Sequence, residues 1–241
     1  MVGIALGLFL PYTVFVQIVE VEAVHITQIK HIYDENFELD VKDVSLNKNK
    51  IIGLVGENGA GKTTLMSILS GYLKANKICE IEYDCDNYKI AFIPSEMKLY
   101  DFMTVKEFLG LMKKYSTTEL SVEELIQILQ MEGKEDCVIE ELSQGMRKKM
   151  TLIPMFVKES DLVILDEPFN SVDVKYIYKL KKILQEKKKN RTLLISSHIL
   201  ETLVDLCDEF IVLENGKLIK KISNDNKNIS YVEGEIFENG I

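Results

Sequence analysis

Val55-Gly56-Glu57-Asn58-Gly59-Ala60-Gly61-Lys62-Thr63-Thr64-Leu65 decides how this chain folds. The apolar run Ile51 to Val55 before it reads as a buried strand, and Leu65-Met66-Ser67-Ile68-Leu69 after it as the start of a helix. Glycines at positions 56, 59 and 61 let the connecting backbone turn tightly and aim its N–H groups inward. Together with the helix N-terminus, those groups form a cradle for polyphosphate running from Gly56 through Glu57, Asn58, Gly59, Ala60, Gly61 and Lys62 to Thr63 and Thr64. The Lys62 ammonium is placed to reach the β and γ phosphates, and the Thr63 hydroxyl to ligate Mg2+.

Downstream, Leu162-Val163-Ile164-Leu165 is another continuous apolar run, of the kind buried on both faces of a parallel sheet. It ends in Asp166-Glu167, where open α/β sheets put their ligands. Asp166 is the expected partner of the metal, and Glu167 the group that orients or deprotonates a water. A helical pattern from about Val174 to Lys189, with Ile177, Leu180, Ile183 and Leu184 inward, leads to a third such strand, Thr192 to Ser196. His198 lies just beyond its carboxyl end. Residues 210–219 form a hairpin about Asn215-Gly216, and the polar, Asn-rich residues 224–241 read as a tail.

Upstream, alternation over residues 21–29 and 39–46 predicts two half-buried strands. Tyr33 is the aromatic best placed between them to stack on a purine. Residues 1–19 carry no charge and would span about 28 Å as a helix, close to a bilayer core. Pro11, Thr13, Gln17 and the alternating Val14, Val16 and Ile18 argue for a peripheral tail or added strand over a membrane span.

After the phosphate-loop helix, residues 78–83 and 89–93 are expected as strands about the turn at 84–87. Thr104…Glu107 and Ser121…Glu124 are capping boxes. Each opens an apolar stripe, Val105, Phe108, Leu109, Met112 and then Val122, Leu125, Ile126, Leu129, so residues from about 95 to 142 form a helical insert. Ser143 reads as an N-cap, and Pro154 should kink or shorten the helix that follows.

A net charge of −9 over 241 residues disfavours sequence-independent binding to nucleic acid, which needs a basic face. Cys79, Cys85, Cys137 and Cys207 show neither C-x-x-C spacing nor paired histidines, and suggest reduced thiols.

Over residues 21–221 the order of motifs resembles the ATP-binding cassette, the ATPase subunit of ABC transporters. Gly56 to Thr63 is similar to its Walker A motif, Leu142-Ser143-Gln144-Gly145-Met146 to its signature, Leu162 to Glu167 to Walker B with the catalytic glutamate, Phe169 to Asp173 to the D-loop, and His198 to the switch histidine. The resemblance implies an α/β P-loop NTPase core with a mainly parallel sheet, an N-terminal antiparallel β part and an inserted helical subdomain. The cassette would occupy residues 20–223, between tails at 1–19 and 224–241. It also implies ATP and Mg2+ as ligands and hydrolysis involving Lys62, Glu167 and His198. A second ATPase domain would pair head to tail, so that Ser143 and Gly145 meet the γ phosphate held by the partner. Integral membrane subunits would be driven from the cytoplasmic face.

The style is that of stand-alone bacterial exporter subunits, which often carry Met at the place of Met146. A nucleotide-binding regulatory module and a cassette that serves no transporter are the alternatives. Departures are Ser95 where the family usually has glutamine, Gln144 in the signature, Ser171-Val172 in the D-loop, and Pro154.

Overall fold

The computed structural model describes residues 22–33 and 37–238; the N-terminal segment 1–19 lies outside them. Among the described residues nine strands form one sheet in the order β4-β1-β2-β9-β8-β3-β7-β6-β5. The strands are β1 (Glu22–Ile32), β2 (Glu38–Asn47), β3 (Ile51–Val55), β4 (Ile78–Tyr83), β5 (Ile90–Ile93), β6 (Leu162–Leu165), β7 (Thr192–Ser196), β8 (Glu209–Glu214) and β9 (Lys217–Ser223). The helices are α1 (Lys62–Leu69), α2 (Val105–Lys114), α3 (Val122–Leu129), α4 (Gln144–Thr151), α5 (Pro154–Val157), α6 (Val174–Lys187), α7 (Glu201–Val204) and α8 (Ile229–Glu233).

The parallel half runs β8-β3-β7-β6-β5, while β1, β2 and β4 pair antiparallel. The two halves meet where Asp40 on β2 faces Lys217 on β9 and its N–H donates to the Gly216 carbonyl at 2.8 Å.

The apolar runs of the parallel strands exist because both faces are covered. Ile51, Val163, Leu165, Leu193 and Ile195 face one core, shared with α2 to α6. Ile52, Leu54, Leu162, Ile164 and Leu194 face the other, where Leu65, Met66 and Leu69 of α1 meet Val24, Ile26, Leu39 and Val41 of the antiparallel part. Each fully buried aliphatic side chain contributes about 1.5–3 kcal/mol of transfer free energy, which anchors α1, and the loop before it, against the sheet.

Two expectations are corrected. Residues 78–83 and 90–93 are strands but not a hairpin: β4 pairs with β1 at one edge and β5 with β6 at the other. The short link at 84–89 spans both edges because the sheet curls, and Tyr83 and Tyr88 stack across the gap at 4.9 Å. The polar residues after 223 are not merely a tail. They form α8 and a π-helical turn at Gly234–Glu238, with Val232 fully buried and Ile229 packed on the core. A single buried valine in a polar stretch leaves little period to read.

The helical insert forms as its capping boxes predict. Thr104 and Ser121 each accept from the N–H three residues on, and Glu107 and Glu124 return the bond. Pro154 divides the next helix, standing at the first turn of α5 after α4 ends at Thr151, where its missing N–H costs nothing. In α6, Leu180 and Leu184 are buried as expected, Ile177 and Ile183 are half-buried, and Tyr176 is an additional core residue.

Candidate functional site

Strand order places the chemistry. Because β3, β7, β6 and β5 are successive parallel neighbours, their carboxyl ends line up the phosphate loop, His198, Asp166 with Glu167, and Ser95 along one rim.

At the first position the loop closes over its own lysine. Gly61 caps α1 at φ 101°, a left-handed conformation that a side chain would strain. The Lys62 ammonium donates to the carbonyls of Gly56 at 2.7 Å and Glu57 at 2.9 Å. Burial lowers its pKa, with Glu167 and Asp166 acting in the opposite direction.

Thr63 Oγ1 donates to Asp166 Oδ2 at 2.8 Å. The other carboxylate oxygen, Oδ1, accepts from Ser196 Oγ at 2.6 Å, and that hydroxyl accepts in turn from the Glu167 N–H at 2.9 Å. Glu167 itself is held at φ 50°, unusual for a residue with a side chain and the kind of local strain that collects at functional sites. Its Oε2 lies 3.0 Å from His198 Nδ1. Thr63, Asp166, Ser196, Glu167 and His198 thus form one continuous chain of contacts.

Two clefts meet here. One, of about 630 Å³, is lined by Tyr33, Phe37, Asn58, Gly59, residues 61–64 and Asp166. The other, of about 610 Å³, is lined by His198, Glu96, Gln144, Arg147 and Lys148 among others. Asn58, Ser95 and Glu167 border both. Tyr33, which lines the loop cleft, is 70% exposed.

Ser143 and Gly145 border neither cleft. Ser143 caps α4 through the Met146 N–H at 3.3 Å. Gly145 lies against the D-loop of its own chain, where a Cβ would come within 2.6 Å of the Ser171 carbonyl oxygen. Asp173 is fixed within the chain: it pairs with Lys149 at 2.9 Å and caps α6 through Tyr176 N–H at 2.8 Å, and the Lys149 bond leads the contacts that hold its carboxyl below the ordinary aspartate range.

Sequence reading missed Ser196 and Lys148. Ser196 is fully buried, yet a serine at the end of an apolar strand carries no signal of its own. Lys148 looked like one basic residue of a polar helix, whereas its ammonium is turned inward to the Ser95 carbonyl at 3.0 Å.

The family model described as "ABC transporter" matches residues 39–170. An uncharacterized ABC transporter ATP-binding protein of Methanocaldococcus jannaschii is 32% identical over 203 residues, covering 81% of this chain and 76% of that protein. Among solved structures, the RNase-L inhibitor superposes with a TM-score of 0.74 at 24% identity. It covers 92% of this chain, which spans only 43% of that longer one. An ATP-binding cassette solved as a dimer in a post-hydrolysis state, bound to ADP and Pi, superposes with a TM-score of 0.69 at 18% identity, over 84% of this chain and 99% of that one.

Proposed function

The chain belongs to the ABC transporter family of ATP-binding cassettes, and we propose that it is the ATPase subunit that powers export through separate membrane subunits. ATP binding and hydrolysis come with the family. The export direction is supported by Met146 in the signature, and the membrane partner by the family itself; among the described residues no helix is long and apolar enough to cross a bilayer. The cassette proper is taken as residues 20–223, with the helical subdomain at 95–142 and α8 packed on it. Its place is the cytoplasmic face of the membrane.

The observation that carries the reading is the contact chain from Thr63 to His198. In the proposed mechanism the loop residues Gly56 to Thr64 hold the phosphates, Lys62 neutralises the β and γ charges, and Tyr33 stacks on the adenine. Glu167 takes the proton of a water whose oxygen attacks the γ phosphorus as the bond to the bridging oxygen of ADP breaks. His198 orients Glu167 through the 3.0 Å contact, and in this reading it also meets a γ oxygen. Ser143 and Gly145, turned away from this chain's own clefts, serve the site of a second cassette.

Thr63 and Asp166 offer two hard oxygen donors 2.8 Å apart, which suits Mg2+ shared with phosphate oxygens. The ion would supply neutralisation of charge developing on those oxygens.

A regulatory module that binds ATP without turnover is the second reading, favoured by Ser95 in place of an amide. Turnover decides between them. Purified protein is expected to hydrolyse ATP well above a Glu167→Gln control, and activity no higher than that control would overturn the ATPase assignment.

A further inference from the structure

Lys148 is a buried charged group at the site rim that neither the motifs nor the mechanism above accounts for. It sits on the second turn of α4, only 7% exposed, and lines the same cleft as Glu167, His198 and Ser95. An ammonium carries three donors, and the Ser95 carbonyl takes one of them at 3.0 Å. Burial lowers its pKa, while Asp166, Glu167 and Glu96 pull the other way. A cation taken out of water is costly unless an anion repays it. The two carboxylates that act on it most strongly, Asp166 and Glu167, are the ones the site needs for its own chemistry.

The position of its anchor gives this cation a role. Ser95 follows β5 and borders both clefts, so it stands between the phosphate loop and the signature helix. A serine side chain ends one carbon beyond the backbone and cannot cross that junction. Lys148 approaches it from the opposite wall, carrying a four-carbon stem with a charge at its tip and tied to the backbone of Ser95 itself.

Building on the cassette reading, we propose that Lys148 binds the γ phosphate of ATP, supplying from α4 the polar contact that Ser95 is too short to make from β5. A donor-only cation suits an anionic phosphoryl oxygen and cannot accept a proton from water, so the deprotonation stays with Glu167. Lys62 and Lys148 then hold the γ phosphate from two sides.

The test is calorimetric titration of ATP and of ADP into the full chain carrying Glu167→Gln, which blocks turnover, alone and combined with Lys148→Met, Lys148→Arg, or Lys148→Met with Ser95→Gln. Removing a charge-assisted hydrogen bond to phosphate should weaken ATP roughly tenfold or more and leave ADP within about twofold, since ADP lacks the group being held. Lys148→Arg should keep most of the ATP affinity, and Ser95→Gln should restore a good part of it to the methionine variant. Equal losses for ATP and ADP, no loss at all, or no recovery with Ser95→Gln would overturn the proposal. Should Lys148→Met fail to melt cooperatively, Lys148→Gln keeps the length and polarity without the charge and must still weaken ATP selectively. Failure of the underlying cassette reading looks different: the Glu167→Gln parent would itself bind neither nucleotide saturably.

Discussion

At the scale of single residues, the site depends on one buried hydroxyl. The register of β6 against β7, with Leu165 opposite Ile195, sets Ser196 beside Asp166, where it donates to one acid and receives the N–H of the other. Ser196→Ala would leave Asp166 Oδ1 and the Glu167 N–H without that partner, at a cost of about 1–3 kcal/mol for each buried polar group left unsatisfied. We expect kcat to fall by roughly ten- to a hundredfold, because Glu167 loses the tie that fixes its left-handed backbone, while KM for ATP moves little. Ser196→Thr, which keeps the hydroxyl, should recover most of the rate. Steady-state ATPase assays and thermal melts read both effects, and an alanine variant with unchanged kcat would remove Ser196 from the positioning of the acids.

Lys62, Thr63, Asp166 and Glu167 were legible as candidates in the sequence because their signal is local: a glycine pattern, or acids at the end of an apolar run. Ser196 and Lys148 were not, because each owes its role to a neighbour far away in sequence. What brings them into place is strand register and the turn of α4 toward β5, neither of which a linear pattern records.

At the scale of elements, α2, α3 and α6 were readable from caps and apolar spacing, and β3, β6 and β7 from their unbroken hydrophobicity. The strands β4 and β5 were readable on either side of their polar turn but their partners were not, because such a link usually joins neighbours, whereas a curled sheet lets it join opposite edges. One further joint shows how the elements are held in register. Asp208, just before β8, accepts from the Ile51 N–H at 2.9 Å and from Lys188 at the end of α6 at 2.9 and 3.0 Å. Its own N–H donates to the Ile51 carbonyl at 2.7 Å. Burial pushes the Asp208 carboxyl up, but Ile51, Lys188 and Lys227 outweigh it and the pKa is lowered.

A carboxylate whose pKa is lower folded than unfolded adds stability above the unfolded value, about 3.9, and that share is lost as pH falls through the folded value. Asp208→Asn should therefore destabilise the chain by about 2 kcal/mol near pH 7. The gap to the parent should hold steady down to about pH 5 and close below about pH 4. Urea unfolding across that range measures it. A gap that stays constant down to pH 3 would mean that the charge of Asp208 contributes nothing to the joint.

At the scale of the whole molecule, a single chain holds the machinery unevenly. The phosphate loop, Asp166, Glu167 and His198 converge on one rim, whereas Ser143 and Gly145 border neither of its clefts. A helix N-terminus with free N–H groups is a ready anion site, so the start of α4 is useful only if another molecule brings it a phosphate. In the proposed pair ATP would do this by bridging two chains, with its γ phosphate held by one loop and capped by the other's signature turn, a bridge that would form only while that phosphate is present. The Glu167→Gln variant should therefore double in mass by light scattering when ATP is added and remain monomeric with ADP. Ser143→Arg should abolish the doubling and leave ATP binding by the single chain intact. Gly145→Ala should abolish it by another route, because the new Cβ presses on the Ser171 carbonyl and displaces the D-loop. A Glu167→Gln chain that binds ATP yet stays monomeric at every concentration would mean that the second half of the site comes from an unlike cassette, and the search would move to the protein that carries it.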